Sequence, residues 1–323
     1  MSKVYYSEMK HPKELSVVIP CFKSELFLEN TVEDLVDNLD KLQLTSYEII
    51  LVIDGSPDRT INKANEILVK YKKKIKILEL TKNFGQHPAI LAGVVNARYE
   101  LILTMDDDGQ HPAKNIEVML NSLDPMTDII YGLSSQEEHS FFRNTSSRLF
   151  KKMTYNLLNL KHGEKTSSYR LFRKKIIDGI DIQNLSHGLI DVILFWSSNR
   201  IKSVTVEMKK RPIGRSNYRI IDLFKLAFQL IVSYSGRPIR IITFFAIIVF
   251  TISLFFSGIL IFERINGKIE VAGFTTIAVL ISLIGSVNLL AIGIIGEYIA
   301  KINEKSMSKP LFSIRSINFK DVD

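Results

Sequence analysis

The chain is 323 residues long, 46% hydrophobic, and carries 42 Lys and Arg against 34 Asp and Glu, a net charge of +8. That length suffices for one large domain and an appendage, and the positive balance suits anionic partners such as a membrane surface, nucleic acid or phosphorylated substrates. A lone cysteine, Cys21, excludes an internal disulfide, six scattered His leave no zinc-type cluster, and the charged N-terminal stretch MSKVYYSEMKHPKELSVVIP lacks the apolar segment of a signal peptide.

Short apolar runs at 15–19, 48–53, 75–80, 101–105 and 128–131 read as strands. Between the first two, Leu28, Val32, Leu35, Val36, Leu39 and Leu42 recur at helical spacing; 88–97 and 112–123 read as helices, each with a proline near its start. Such alternation implies parallel pairing through right-handed crossovers, so the expected fold class is α/β with an open, mostly parallel sheet. Ligands of these sheets bind beyond the carboxyl ends of the strands, which directs attention to the residues from Pro20, Asp54 and Asp106 onward.

From 136 to 215 the periodicity loosens. Segment 143–160 places Leu149, Phe150, Met153, Leu157 and Leu160 on one side with basic residues opposite, which fits an interfacial helix and a domain-packing helix equally well. Residues 201–208 read as a late strand and 216–235 as a second amphipathic segment. Then 241–262 and 273–296 run for 22 and 24 residues without a charge. At roughly 1.5 Å per residue, each can cross roughly 30 Å of hydrocarbon. Ten Lys and Arg in 200–240 and five in 297–323 flank these runs, while 263–272 holds only Arg264 and Lys268 as basic residues. The positive-inside rule therefore puts both flanks in the cytosol and the connector outside. The expected organisation is a cytosolic domain at 1–215, an amphipathic juxtamembrane segment at 216–240, transmembrane helices at 241–262 and 273–296, and a cytosolic basic tail at 297–323. The expected location is the inner (cytoplasmic) membrane, as a multi-pass protein with both termini cytosolic.

The sharpest local signal is LILTMDDDGQHP at 101–112. On an extended chain, Asp106, Asp108 and Gln110 share one face and Asp107 takes the other. Two carboxylates and an amide oxygen are hard ligands suited to Mg²⁺ or Mn²⁺. The competing reading is a solvated acidic turn; the position at the end of a strand favours the metal. A calcium loop of EF-hand type is excluded, because His111 stands where its sixth residue must be Gly. In IILVIDGSPDRT (49–60), Asp54 can accept a hydrogen bond from a base N–H, and Gly55 permits a tight turn, although Asp-Gly-Ser is also an ordinary turn. Neither GxxxxGK[ST] nor GxGxxG occurs, which disfavours kinases and dinucleotide enzymes.

Taken in order, SVVIPCF (16–22), VIDGSPD (52–58), NFGQHPAILAGV (83–94), MDDDGQHP (105–112), YRLFRKK (169–175) and RPIGRSNY (211–218) resemble glycosyltransferase family 2. More narrowly they resemble its polyprenyl-phosphate branch, which includes dolichol-phosphate mannose synthase and the bacterial undecaprenyl-phosphate glucosyl- and aminoarabinosyltransferases. The stretch IIGEYIAKINEKSMSKPLF (294–312) is similar to the second span and exit of that branch. The resemblance implies a Rossmann-like nucleotide-sugar-binding domain of hexosyltransferase type. In it Pro20, Glu25, Asp54 and Asp106 would line the nucleotide-sugar pocket, Asp106, Asp108 and Gln110 would hold Mg²⁺ or Mn²⁺, and Asp106, Asp108, Arg170 and Arg215 would carry catalysis, the two Arg facing phosphates. It further implies inverting transfer from a nucleotide-diphosphate sugar to a polyprenyl phosphate, preferably undecaprenyl, for lipopolysaccharide or cell-wall glycan. The lipid bilayer is an expected partner, nucleic acid is not, and a homo-oligomer is left open. Departures from the family pattern are Phe22-Lys23 for Tyr-Asn, Ile53 for the first Asp of Asp-Asp-Gly-Ser, and His187-Gly188 for Arg-Gly. Asp191 is a candidate base or a surface carboxylate. Rival functions are a family 2 transferase with a glycolipid or sugar-chain acceptor, and a non-catalytic nucleotide-binding membrane protein.

Overall fold

The computed structural model describes residues 14–134, 166–182, 188–208 and 310–319, a helix within 273–306, and parts of 245–266. Two compact units result, one of residues 1–155, 160–217 and 309–323 and the other of residues 156–159 and 218–308. The expected amphipathic segments at 143–160 and 216–235 lie outside the described residues, as do His187 and Arg215.

The first unit is built on strands β1 (Glu14–Cys21), β2 (Ser46–Ile53), β3 (Ile75–Leu80), β4 (Leu101–Thr104), β5 (Ile129–Ser134), β6 (Arg170–Arg173), β7 (Ile201–Val206) and β8 (Ile314–Asn318). They form one sheet in the order β7-β5-β6-β4-β1-β2-β3-β8. The helices of this unit are α1 (Leu28–Leu39), α2 (Thr60–Tyr71), α3 (Gln86–Val95), α4 (Asn115–Asn121) and α5 (Ile190–Ser197). Four central strands, β3-β2-β1-β4, pair in parallel, and β5 pairs in parallel with β7, while β6 and β8 run antiparallel to their neighbours.

Strand β1 reads ELSVVIPC and is buried from its second residue onward, the unbroken apolar run that a strand covered on both faces requires. Its Leu15, Val17, Ile19 and Cys21 join one core with the inner faces of α1, α2 and α4. Val18 points to the other face, where α3 lies so close that a Cβ on Gly93 would stand 2.3 Å from Val18 Cγ1. The result is a sheet between two helical layers. Amphipathic α1 buries Leu28, Thr31, Val32, Leu35, Val36 and Leu39, the spacing of one helical stripe.

The chain order positions the site. From β1 the chain steps outward through β2 and β3, then returns over α3 to lay β4 on the opposite side of β1. Loops after β1 and β4 therefore diverge, and an open α/β sheet binds ligands in the crevice left at such a switch point.

Two features of this unit depart from the sequence expectation. Arg170–Arg173 forms β6, antiparallel to β4, and Ile314–Asn318 forms β8 on the edge of β3 within a stretch expected to be a tail. In the second unit, α6 (Phe274–Ser306) is continuous over 33 residues, a length of roughly 50 Å. Several of its side chains fall outside the described residues, and among the described residues no helix is long and apolar enough to cross a membrane. The two expected spans therefore remain expectations from sequence.

Candidate active site

Three carboxyl ends of parallel strands meet at a cleft of about 340 Å³. Pro20 from β1, Asp54 from β2, Gln86 at the start of α3, and Asp106, Asp107 and Asp108 after β4 all line it.

Asp54 is buried, and both its oxygens are engaged: Oδ1 accepts the Phe84 N–H at 2.7 Å and Oδ2 the Gly85 N–H at 2.8 Å. Burial pushes its carboxyl above the usual value, and the two amide bonds oppose that rise. The residue thus clamps the loop that opens α3 and forms one wall of the cleft. Gly55 makes this possible: at φ +56, a Cβ there would sit 2.3 Å from the carbonyl carbon of Lys82.

Strand β4 ends at Thr104 and residues 107–109 bend, with Gly109 at φ +70, so the extended alternation expected over 106–110 does not continue. Asp106 Oδ1 accepts from Gln86 Nε2 at 2.6 Å and its Oδ2 from Ser168 Oγ at 2.6 Å, with His111 Nε2 3.5 Å away. Burial raises this carboxyl, but His111, Ser168 and Arg170 together outweigh it and hold Asp106 below its ordinary value. Asp107 takes a hydrogen bond from Ser24, which ties the β1 exit loop to the β4 exit loop. Burial pushes Asp107 up to about 6, against the Ser24 bond and with help from the charges of Asp106 and Asp108. Asp108 accepts the Gln110 N–H at 3.1 Å, and Gln110 itself is not among the residues lining the cleft. The expected triad is thus brought together as two carboxylates, with Asp107 as an unforeseen third wall.

Glu25 lies beside the cleft: its carboxylate accepts the Arg59 N–H at 2.8 Å and joins the loops after β1 and β2. Arg170 is buried on β6 behind the aspartates, with Nε donating to Ser167 O at 3.0 Å and lying 3.4 Å from Asp191 Oδ1. Asp191 also accepts from the Tyr131 hydroxyl at 2.9 Å, so it is neither a solvated helix-surface carboxylate nor a free base. Among the described residues, four buried polar atoms have no hydrogen-bond partner: Nδ1 of His87, Nδ1 of His111, the Tyr169 hydroxyl and one terminal nitrogen of Arg170. Burial lowers the His87 pKa, and the nearby Arg170 charge lowers it further.

Gln86, His87, His111 and Tyr169 stand within the sequence motifs at 83–94, 105–112 and 169–175, but the motifs alone do not assign these four residues to the site. Their repeated signal was a Gln-His-Pro triplet following each loop, at 86–88 and at 110–112. Ser24 and Ser168 carry no such mark.

Among the described residues, no group of three or more His, Cys, Asp or Glu could hold a metal ion. Two carboxylates at a cleft, Asp106 and Asp108, are nevertheless a sufficient protein contribution for Mg²⁺ or Mn²⁺, which keeps waters and binds substrate phosphates.

An open α/β sheet with an acidic cleft at its switch point belongs to the class of α/β proteins whose ligands bind beyond the carboxyl ends of the strands. Residues 16–180, more than half of the chain, match Glycosyl transferase family 2; the chain belongs to that family and is a glycosyltransferase. It is 28% identical over 305 residues to an uncharacterized glycosyltransferase of Synechocystis sp., covering 94% of this chain and 95% of the relative. It is also 28% identical over 308 residues to the undecaprenyl-phosphate 4-deoxy-4-formamido-L-arabinose transferase of Aeromonas hydrophila, covering 94% of each. A crystal structure of glucosyl-3-phosphoglycerate synthase from Mycobacterium tuberculosis aligns with a TM-score of 0.47 at 15% identity, over 68% of this chain and 77% of that one. That likeness is too distant to bear on the chemistry.

Proposed function

We propose that this enzyme transfers a sugar from a nucleotide-diphosphate sugar to a polyprenyl phosphate, undecaprenyl phosphate by preference, at the cytosolic face of the inner membrane. The observation that carries this reading is the 94% mutual coverage with a relative named for undecaprenyl-phosphate sugar transfer. Such coverage extends beyond the sheet into the two uncharged runs at 241–262 and 273–296, which suit an acceptor held in a bilayer.

The chemistry fits the side chains. An acceptor phosphate oxygen forms the bond to the anomeric carbon, the bond from that carbon to the diphosphate breaks, and the nucleoside diphosphate leaves with the electron pair. A single displacement of this kind inverts the anomeric centre. The second pKa of a phosphate monoester is about 6, so the acceptor is largely a dianion at neutral pH and needs no strong base. This suits a site in which Asp191 is engaged by Arg170 and Tyr131. Asp106 and Asp108 would hold Mg²⁺ or Mn²⁺, which when bound supplies positive charge to the departing diphosphate. Gln86, Ser168 and His111 orient Asp106; His111, Ser168 and Arg170 favour its ionised form; and Asp54 holds the loop against which the donor would lie. Catalysis then rests on positioning and charge rather than on proton transfer.

The membrane reading rests on sequence. Two uncharged runs between basic flanks fit a pair of spans. A polyprenyl chain stays in the bilayer while its phosphate sits at the headgroups, where a basic juxtamembrane segment is attracted.

The test is radiolabel transfer from a panel of nucleotide sugars into solvent-extractable, mild-acid-labile lipid. One donor should label that fraction, and label found only in a water-soluble or polymeric glycan would sink the acceptor assignment.

A further inference from the structure

At the opposite end of the sheet from the catalytic cleft lies a larger one, of about 600 Å³. It is built from the first residues of β2 and β3, the 3₁₀ turn Lys72–Lys74 after α2, the loop from α3 into β4, and the end of β8. Glu48 here and Asp54 at the catalytic end are six residues apart along one strand, roughly 20 Å. The two clefts share no residue.

Five cations line it: Lys72, Lys73, Lys74, Lys76 and Arg98, against a single carboxylate, Glu48. Glu48 is already engaged, accepting from Ser16 Oγ at 2.7 Å and from the Arg98 N–H at 2.5 Å. Lys74 is neutralised by Asp40 at 2.6 Å, and Lys76 donates to the Asn96 carbonyl at 2.7 Å. The remaining three, Lys72, Lys73 and the Arg98 guanidinium, are exposed and have no hydrogen bond or ion pair among the described residues. Tyr47, Tyr99 and Phe319 complete the walls, with the Arg98 guanidinium over the Tyr99 ring at 5.7 Å.

A bland explanation covers part of this. Cations after a helix carboxyl end are favourable, and Lys72–Lys74 follow α2. It does not account for Lys76 and Arg98, which arrive on two other segments, or for a concavity between them. Like charges brought together from separate segments repel unless an anion joins them.

We propose that this cleft is a second ligand site, for a phosphate-bearing polyanion of about nucleotide size. The volume falls within the range of small-molecule sites. A guanidinium matches phosphate oxygens in a fork, while the lysines act as point charges. The aromatic walls give a flat apolar surface for the non-phosphate part. A soluble polyphosphate and an anionic lipid headgroup present the same chemistry here.

The full chain, purified in detergent with EDTA present so that metal-dependent diphosphate binding is suppressed, is titrated calorimetrically with inorganic tripolyphosphate and, separately, with dihexanoyl phosphatidic acid, a multiply charged phosphate monoester, below its micelle concentration. At least one probe should bind saturably, with affinity at least ten-fold weaker in the triple variant Lys72→Gln, Lys73→Gln, Arg98→Gln and unchanged in Asp108→Asn. The tighter probe identifies the source: tripolyphosphate a soluble anion, the glycerol lipid a headgroup. The triple variant should keep the wild-type unfolding midpoint in the absence of anion, since the three side chains make no ion pair among the described residues. Binding of neither probe, or binding that the triple variant retains, overturns the site; binding that instead strengthens in Asp108→Asn, where a repelling carboxylate is lost, assigns the anion to the catalytic cleft and overturns it equally.

Discussion

Lys23 is held at φ 59, the left-handed region, while its N–H donates to Ser56 Oγ at 2.8 Å. A side chain with a Cβ costs roughly 1–2 kcal/mol there, and Asn relieves much of that by local hydrogen bonding. The departure from the family's Tyr-Asn therefore has a backbone consequence. Lys23→Asn should raise the unfolding free energy by about 0.5–1 kcal/mol in denaturant titration, whereas a loss of stability would show that the lysine side chain is itself needed. His87 supplies a pH dependence of known sign. Its folded pKa is depressed, chiefly by burial, so below the unfolded value of about 6.5 the unfolded chain binds a proton that the folded chain refuses. Stability present above that pH is lost as pH falls through 6.5 toward the folded pKa. His87→Gln should flatten this part of the curve of unfolding midpoint against pH, and an unaltered slope would exclude His87 as its source. At this scale the motif residues Pro20, Asp54, Asp106 and Asp108 were legible because they stand where apolar runs end. Partners such as Ser24 and Ser168 were not, because hydroxyls that reach across 83 and 62 residues leave no local pattern.

Among the elements, the central strands were legible for the same reason that they are central. Burial on both faces demands unbroken apolar runs such as SVVI and IILVI. Strand β6 reads Arg-Leu-Phe-Arg, too short and too charged for that signal, and is imposed by pairing with β4 and β5. Strand β8 has one face against solvent and is specified by cross-strand partners: Arg315 reaches Glu79 at 3.0 Å and the Thr81 carbonyl at 3.1 Å. Truncation after Ser313 should leave the sheet folded but strip protection from β3 amides that face β8. It should cost about 2–4 kcal/mol, the sum of a few net hydrogen bonds of about 1 kcal/mol each, and it exposes an edge prone to pairing with other chains. Hydrogen exchange over Ile75–Leu80 checks this, and unchanged exchange would mean that β8 does not pair with β3 in solution.

For the whole molecule, a sheet that presents its acidic cleft at one end is joined to a second unit entered after 217 and left before 309. With that excursion read as two spans, a cysteine introduced at Asn266 should be labelled from outside intact cells while one introduced at the exposed Met126 is spared, and the reverse pattern would invert the orientation. Native Cys21 is buried in the folded chain and is replaced by Ser in both variants. The central claim is that a nucleotide sugar is the donor and a polyprenyl phosphate the acceptor, with Asp106 and Asp108 at the reacting diphosphate. The most direct measurement supplies the active labelled donor with undecaprenyl phosphate or with undecaprenol, using wild-type enzyme and Asp108→Asn. The account predicts label in undecaprenyl phosphate alone, and a fall of about 10²-fold or more in the variant, as expected for losing a charged transition-state contact. Transfer to undecaprenol at a similar rate, or near-normal transfer by Asp108→Asn, would contradict it.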